Sequence, residues 1–143
     1  MDDNLHLTFP HGLITKVSVG EFTLLTDYTE ERGGNGIAPN PWRLFLSALL
    51  SCHGVNLAKY CRQHNLDYSK IKLELAPFVE DVRSDPFPEY HIYVTVPEDF
   101  PQEHLEPMVK FFTDCPVSNH LTTLKPIVKT FVNATLMSDK RRE

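Results

Sequence analysis

Apolar residues alternate along the first 25 positions: Leu5, Leu7 and Phe9, then Leu13, Val17 and Val19, then Phe22 to Leu25. Pro10-His11-Gly12 and Gly20-Glu21 interrupt them. A period of two broken by Gly and Pro predicts a short antiparallel meander. The segment from Asp27 to Asn40 carries Arg32, Gly33, Gly34, Gly36 and Pro39. It reads as a loop, and at that length as a functional one rather than a connection.

The strongest element follows. Asn40 is a good helix cap and Pro41 suits the first helical position. No further Pro occurs before His64, and Gly54 is the only helix-breaking residue in that stretch. Leu44, Phe45, Leu46, Ala48, Leu49 and Leu50 leave almost no polar face, which predicts burial on all sides. Asn56, Lys59, Arg62 and Gln63 restore an amphipathic second half, and Asn65 suits a left-handed cap. Such a helix runs roughly 35 Å. That length in so small a chain implies that a second subunit covers part of it.

Three further strands are expected. The first holds Ile71, Leu73 and Leu75; the second Tyr90, Ile92, Val94 and Val96; the last Val128, Thr130, Val132, Ala134 and Leu136. Between the last two lies a helical pattern at Leu105, Met108, Val109 and Phe112, with Pro101 and Pro107 limiting where it begins. A short helix follows Asp114-Cys115-Pro116. The order β-β-β-α-β-β-α-α-β, with helices segregated from antiparallel strands, predicts an α+β fold.

The chain has 143 residues, enough for one domain over 1–143 and a real core. Hydrophobic residues make up 41% and charged ones 23%, so the chain is neither disordered nor, with three cysteines, a disulfide scaffold. Fourteen basic against nineteen acidic side chains leave a net charge of −5, which argues against a nucleic-acid partner. Lys140-Arg141-Arg142 is the one basic run and reads as a solvated end. Leu44 to Leu50, the longest apolar stretch, is far short of a membrane span of about 20 residues. Met1-Asp2-Asp3 begins no signal peptide, so a cytoplasmic setting with reduced thiols is expected. Asn133-Ala134-Thr135 matches a glycosylation sequon, read as chance within a β-strand.

The cysteines carry the candidate chemistry. Cys52 and Cys61 lie nine residues apart on one helix, on opposite faces and roughly 13 Å apart along its axis. They cannot bridge each other, so any intrachain pair uses Cys115. Pro116 makes Cys115 a helix cap, facing free N–H groups and the positive dipole end. That environment predicts a lowered thiol pKa at Cys115. Cys52 sits mid-helix among apolar residues and needs a nearby cation to react. All three cysteines can equally be inert core residues.

No CxxC or HxxxH pattern exists, and His53 beside Cys52 points about 100° away, so no metal site is expected. Gly33-Gly34-Asn35-Gly36 lacks the Lys-Ser/Thr of a phosphate loop, and no cofactor is expected.

Gly33-Gly34-Asn35-Gly36-Ile37-Ala38-Pro39-Asn40-Pro41, continuing into Leu44 to Cys52, resembles the OsmC/Ohr family. So does Asp114-Cys115-Pro116-Val117-Ser118-Asn119-His120-Leu121. The similarity runs from Phe9 to about Leu136, and the two cysteine motifs together are its most specific part. The resemblance implies antiparallel sheets around a long buried helix, in an intertwined homodimer with active sites at the subunit interface. It implies thiol-dependent reduction of organic hydroperoxides, with Cys52 peroxidatic, Cys115 resolving and an external dithiol as reductant. It also implies that Arg32, twenty residues before Cys52, steadies the thiolate.

One position departs from the family pattern: where a Glu precedes the helix, ten residues before Cys52, this chain has Trp42, followed by Arg43. Neither can orient Arg32 by a salt bridge. Trp42, Phe45, Phe111 and Phe112 are the expected apolar pocket. The alternative on the same fold is a small-ligand-binding or redox-sensing protein that performs little chemistry. The missing Glu favours that alternative, and the cysteine pair favours the peroxidase.

Overall fold

A computed structural model of the chain describes residues 4–76, 89–123 and 126–141. Strands β1 (His6–His11), β2 (Ile14–Val19) and β3 (Phe22–Thr26) form an antiparallel sheet in the order β1-β2-β3. Gly12 (φ 53°) and Gly20 (φ 58°) turn the chain between them, a conformation that favours glycine. Pro10 is tolerated because β1 is an edge strand, and the register shifts between Thr8 and His11.

Helix α1 runs from Pro41 to Gln63. Asn40 caps it: its Oδ1 accepts the Arg43 N–H at 2.8 Å. Asn65 ends it in the left-handed conformation (φ 54°). Burial within the chain follows one stripe, Leu46, Leu49, His53, Leu57, Tyr60 and Cys61, spaced three to four apart. Ser47, Ala48, Ser51 and Val55 are exposed, so the single chain does not bury the helix all round.

Strands β4 (Lys72–Ala76) and β5 (His91–Thr95) pair in a second sheet. Leu73, Leu75, Ile92 and Val94 are its more buried positions. Helix α2 (Leu105–Thr113) carries Pro107 in its first turn, where the missing N–H costs nothing. Helix α3 (Pro116–Thr122) follows.

The chain then differs from the sequence expectation. The single last strand is a hairpin, β6 (Ile127–Val132) with β7 (Thr135–Arg141), paired antiparallel. Asn133 (φ 47°) and Ala134 (φ 66°) form the two-residue turn. The sequon Asn133-Ala134-Thr135 therefore sits at a hairpin turn, not within a strand. The result is a mixed α/β fold with antiparallel sheets and three helices among the described residues.

Contacts divide the chain into two compact units, Met1–Ala48 with Leu75–His91, and Leu49–Glu74 with Ile92–Glu143. The second holds a core of Leu57, Tyr60, Cys61, Phe100, Met108 and Phe112. No helix among the described residues is long and apolar enough to cross a membrane.

Candidate active site

In the second unit, α1 and the start of α3 bring two cysteines together. Cys52 is half-buried on α1, and Cys115 is fully buried at the cap of α3. No disulfide joins any two of the three cysteines. The local reading of Cys115 as a cap holds: its Sγ accepts the Ser118 N–H at 3.5 Å, with Pro116 at the first helical position.

The expected acidity of Cys115 does not hold. Burial pushes its thiol up, and a hydrogen bond to Cys52 pushes it further. The N–H groups of Ser118 and Val117 pull it down but are outweighed, and a second negative charge on Cys52 adds to the rise. Desolvation of a charged sulfur thus exceeds the help from a cap and a helix dipole. The rise shows that the Cys52 side chain lies close enough to Cys115 to act on its thiol.

The surroundings of the pair are local to the same unit. Asn56, one helical turn after Cys52, donates from Nδ2 to the Asp114 carbonyl at 3.3 Å. A surface groove of about 440 Å3 is lined by Asn56, Pro107, Lys110, Phe111 and Asp114. Phe111 is exposed on that groove, whereas Phe112 is buried in the core, edge-on to His53 at 5.9 Å. His53 is buried, and its Nδ1 lies 2.8 Å from the Leu49 carbonyl, its hydrogen-bond acceptor. Cys61 is also fully buried, bonded to the Met108 sulfur at 3.9 Å, and burial raises its thiol pKa.

Arg32, Trp42 and Phe45 belong to the first unit. Trp42 stacks on Phe45 with ring centroids 5.1 Å apart. Arg32 ends a 3-10 turn (Glu30–Arg32) and lines a recess of about 310 Å3 with Asn40 and Arg43. The loop around it is organised by Asp27, a residue that sequence reasoning passed over. Its buried carboxylate accepts the N–H groups of Tyr28 (2.7 Å), Asn35 (3.0 Å) and Ile37 (3.3 Å). Burial alone would raise its pKa, but these bonds and one from Gly36 hold it below the ordinary carboxylate range. Gly34 fits because its α-carbon lies against Tyr28: a Cβ there would stand 2.0 Å from the Tyr28 carbonyl oxygen. An Asp opening a glycine-rich loop was the signal that could have found Asp27. Asn56 was legible as the residue one turn beyond Cys52.

This fold sets a buried thiol capping one helix beside a half-buried thiol on another. Residues 33–130 match the family described as OsmC-like protein, and the chain belongs to that family. A solved structure of a protein named for osmotic stress induction and detoxification response, from Psychrobacter arcticus 273-4, is similar in fold. Its TM-score is 0.69 and its identity 20%, over 86% of this chain and 90% of that one. An organic hydroperoxide resistance protein OsmC from Legionella pneumophila superposes with TM-score 0.52 at 17% identity, over 86% and 90% of the two chains. No curated protein sequence matches.

Proposed function

We propose that the protein is a thiol-dependent reductase of organic hydroperoxides, acting in oxidative-stress defence through Cys52 and Cys115. The observation that carries this reading is the placement of the half-buried Cys52 on α1 beside the buried Cys115 at the cap of α3. Membership of the OsmC-like family and the name of the Legionella structure support the choice of oxidant.

In the proposed reaction the Cys52 thiolate attacks the terminal peroxide oxygen. The O–O bond breaks, the alkoxide leaves and takes up a proton, and Cys52 becomes a sulfenic acid. The Cys115 sulfur then attacks the Cys52 sulfur. The S–O bond breaks, and the leaving hydroxide takes the Cys115 proton to form water. An external dithiol reduces the disulfide and is itself oxidised. Arg32 is the proposed cation for the Cys52 thiolate, and Trp42, Phe45 and Phe111 the apolar surroundings of the substrate, Phe112 being part of the core.

The functional unit is proposed to be a homodimer with sites at the subunit interface, working in the cytoplasm. Ile127, Val128, Phe131, Val132, Leu136 and Met137 of the β6–β7 hairpin are each about half exposed or more in the single chain. A lone two-stranded hairpin is marginal in water, so apolar cover from a second copy accounts for it.

The test is a stopped-flow titration with cumene hydroperoxide, counting free thiols before and after. Two of the three thiols should disappear for each peroxide consumed. Binding of the peroxide with all three thiols retained would favour the ligand-binding alternative.

A further inference from the structure

We propose that Asn56 is a positioning residue that holds Cys115 against Cys52 for disulfide closure. This rests on the reading of the two cysteines as a redox pair. Cys52 and Asn56 are four residues apart on α1 and share one face. The Asn56 amide bonds the carbonyl of Asp114, the residue immediately before Cys115. Asp114 is the centre of a tight turn between α2 and α3. Its dihedrals are φ −78° and ψ 75°, and the Cys115 N–H donates back to the Thr113 carbonyl at 3.0 Å. That is an inverse γ-turn.

The other end of Asp114 is also held. Its Oδ1 accepts Asn119 Nδ2 at 3.1 Å, from within α3. The turn is thus clasped to α1 through its carbonyl and to α3 through its carboxylate, and Cys115 is the next residue along. Disulfide geometry is narrow, with Cα atoms about 4.4–6.8 Å apart and a fixed torsion. A loose 114–115 segment would have to be ordered during closure, at a cost in chain entropy. The amide of Asn56 orders it beforehand, on the same helix face that carries the partner sulfur. Asp114 is exposed beside the groove, so water can satisfy its carbonyl when Asn56 is shortened, and the variant should fold.

The experiment equilibrates the full chain with reduced and oxidised glutathione and quantifies the Cys52–Cys115 disulfide by mass spectrometry. Asn56→Ala should lower the equilibrium constant for the disulfide about five- to tenfold, the worth of one hydrogen bond. Asn56→Asp, of the same size but without the amide donor, should match it. Asn119→Ala should give a smaller drop. In a Cys115→Ser background, the rate of sulfenic acid formation at Cys52 with cumene hydroperoxide should be the same with Asn56 or Ala. An unchanged disulfide constant in Asn56→Ala and Asn119→Ala overturns the proposal, as does a wild type that forms no disulfide. Equal slowing of the sulfenic step would place Asn56 at Cys52 itself and also overturn it. A wild type that closes the disulfide but leaves cumene hydroperoxide intact sinks the peroxidase reading and leaves Asn56 standing.

Discussion

Replacing Gly34 by Ala tests how tightly the loop before α1 is built. The added Cβ would stand 2.0 Å from the Tyr28 carbonyl oxygen, 2.5 Å from its carbon and 2.7 Å from Asp27 Oδ1. Real Cβ contacts do not come under 3.0 Å, so the backbone at Tyr28 must retreat by about an ångström. The Tyr28 carbonyl accepts the Gly36 N–H at 2.9 Å, and that displacement breaks the bond, at about 1 kcal/mol. Forcing packed backbone apart costs about 1–3 kcal/mol more. The expected loss is therefore about 2–4 kcal/mol. Gly54→Ala is the control: nothing lies within 4 Å of its added Cβ, and within α1 it should gain about 0.5–1 kcal/mol. The assay is urea unfolding, reading midpoint and slope together. A Gly34→Ala protein within about 0.5 kcal/mol of wild type would refute the close approach.

Light scattering at micromolar concentration should give twice the chain mass; a species of 16.4 kDa would remove the dimer. Cys61→Ser should leave peroxide-driven disulfide formation intact, because the Cys61 sulfur is spent on Met108 in the core, and its loss would show that Cys61 takes part. Arg32→Ala should slow reaction of Cys52 with peroxide at pH 7 about tenfold, with much of the rate recovered at pH 10; coincident pH–rate curves would make Arg32 a surface charge. Asp27, held below its unfolded pKa, contributes stability that is present above about pH 4 and is lost as pH falls through its folded value. Asp27→Asn should therefore flatten the acid limb of stability against pH, and parallel limbs in the two proteins would sink the assignment.

Several elements were legible in the residues because the interactions that make them are local. Asn40, Pro41 and Asn65 bound α1 through hydrogen bonds and dihedrals set within a few positions. Cys115-Pro116 announced the cap of α3 for the same reason. The period of two found β1 to β3, but it also hid the turn at Asn133-Ala134. Alternation continues on either side of a two-residue hairpin, and only the cross-strand pairing, Val132 with Thr135 out to Ile127 with Arg141, separates one strand from two.

The chemistry divides the same way. Sequence placed the candidate thiols on their elements and, through the motifs around them, in a family. It misjudged the acidity of Cys115, because a cap is a local favour and desolvation is a sum over everything packed around the sulfur. It could not see the bond from Asn56 to Asp114, which spans 58 positions, nor the convergence of backbone N–H groups on Asp27. Local hydrogen bonds and periodicity are written in neighbouring residues. Burial and contacts between distant segments exist only once the chain has closed on itself, and those set the thiol pair.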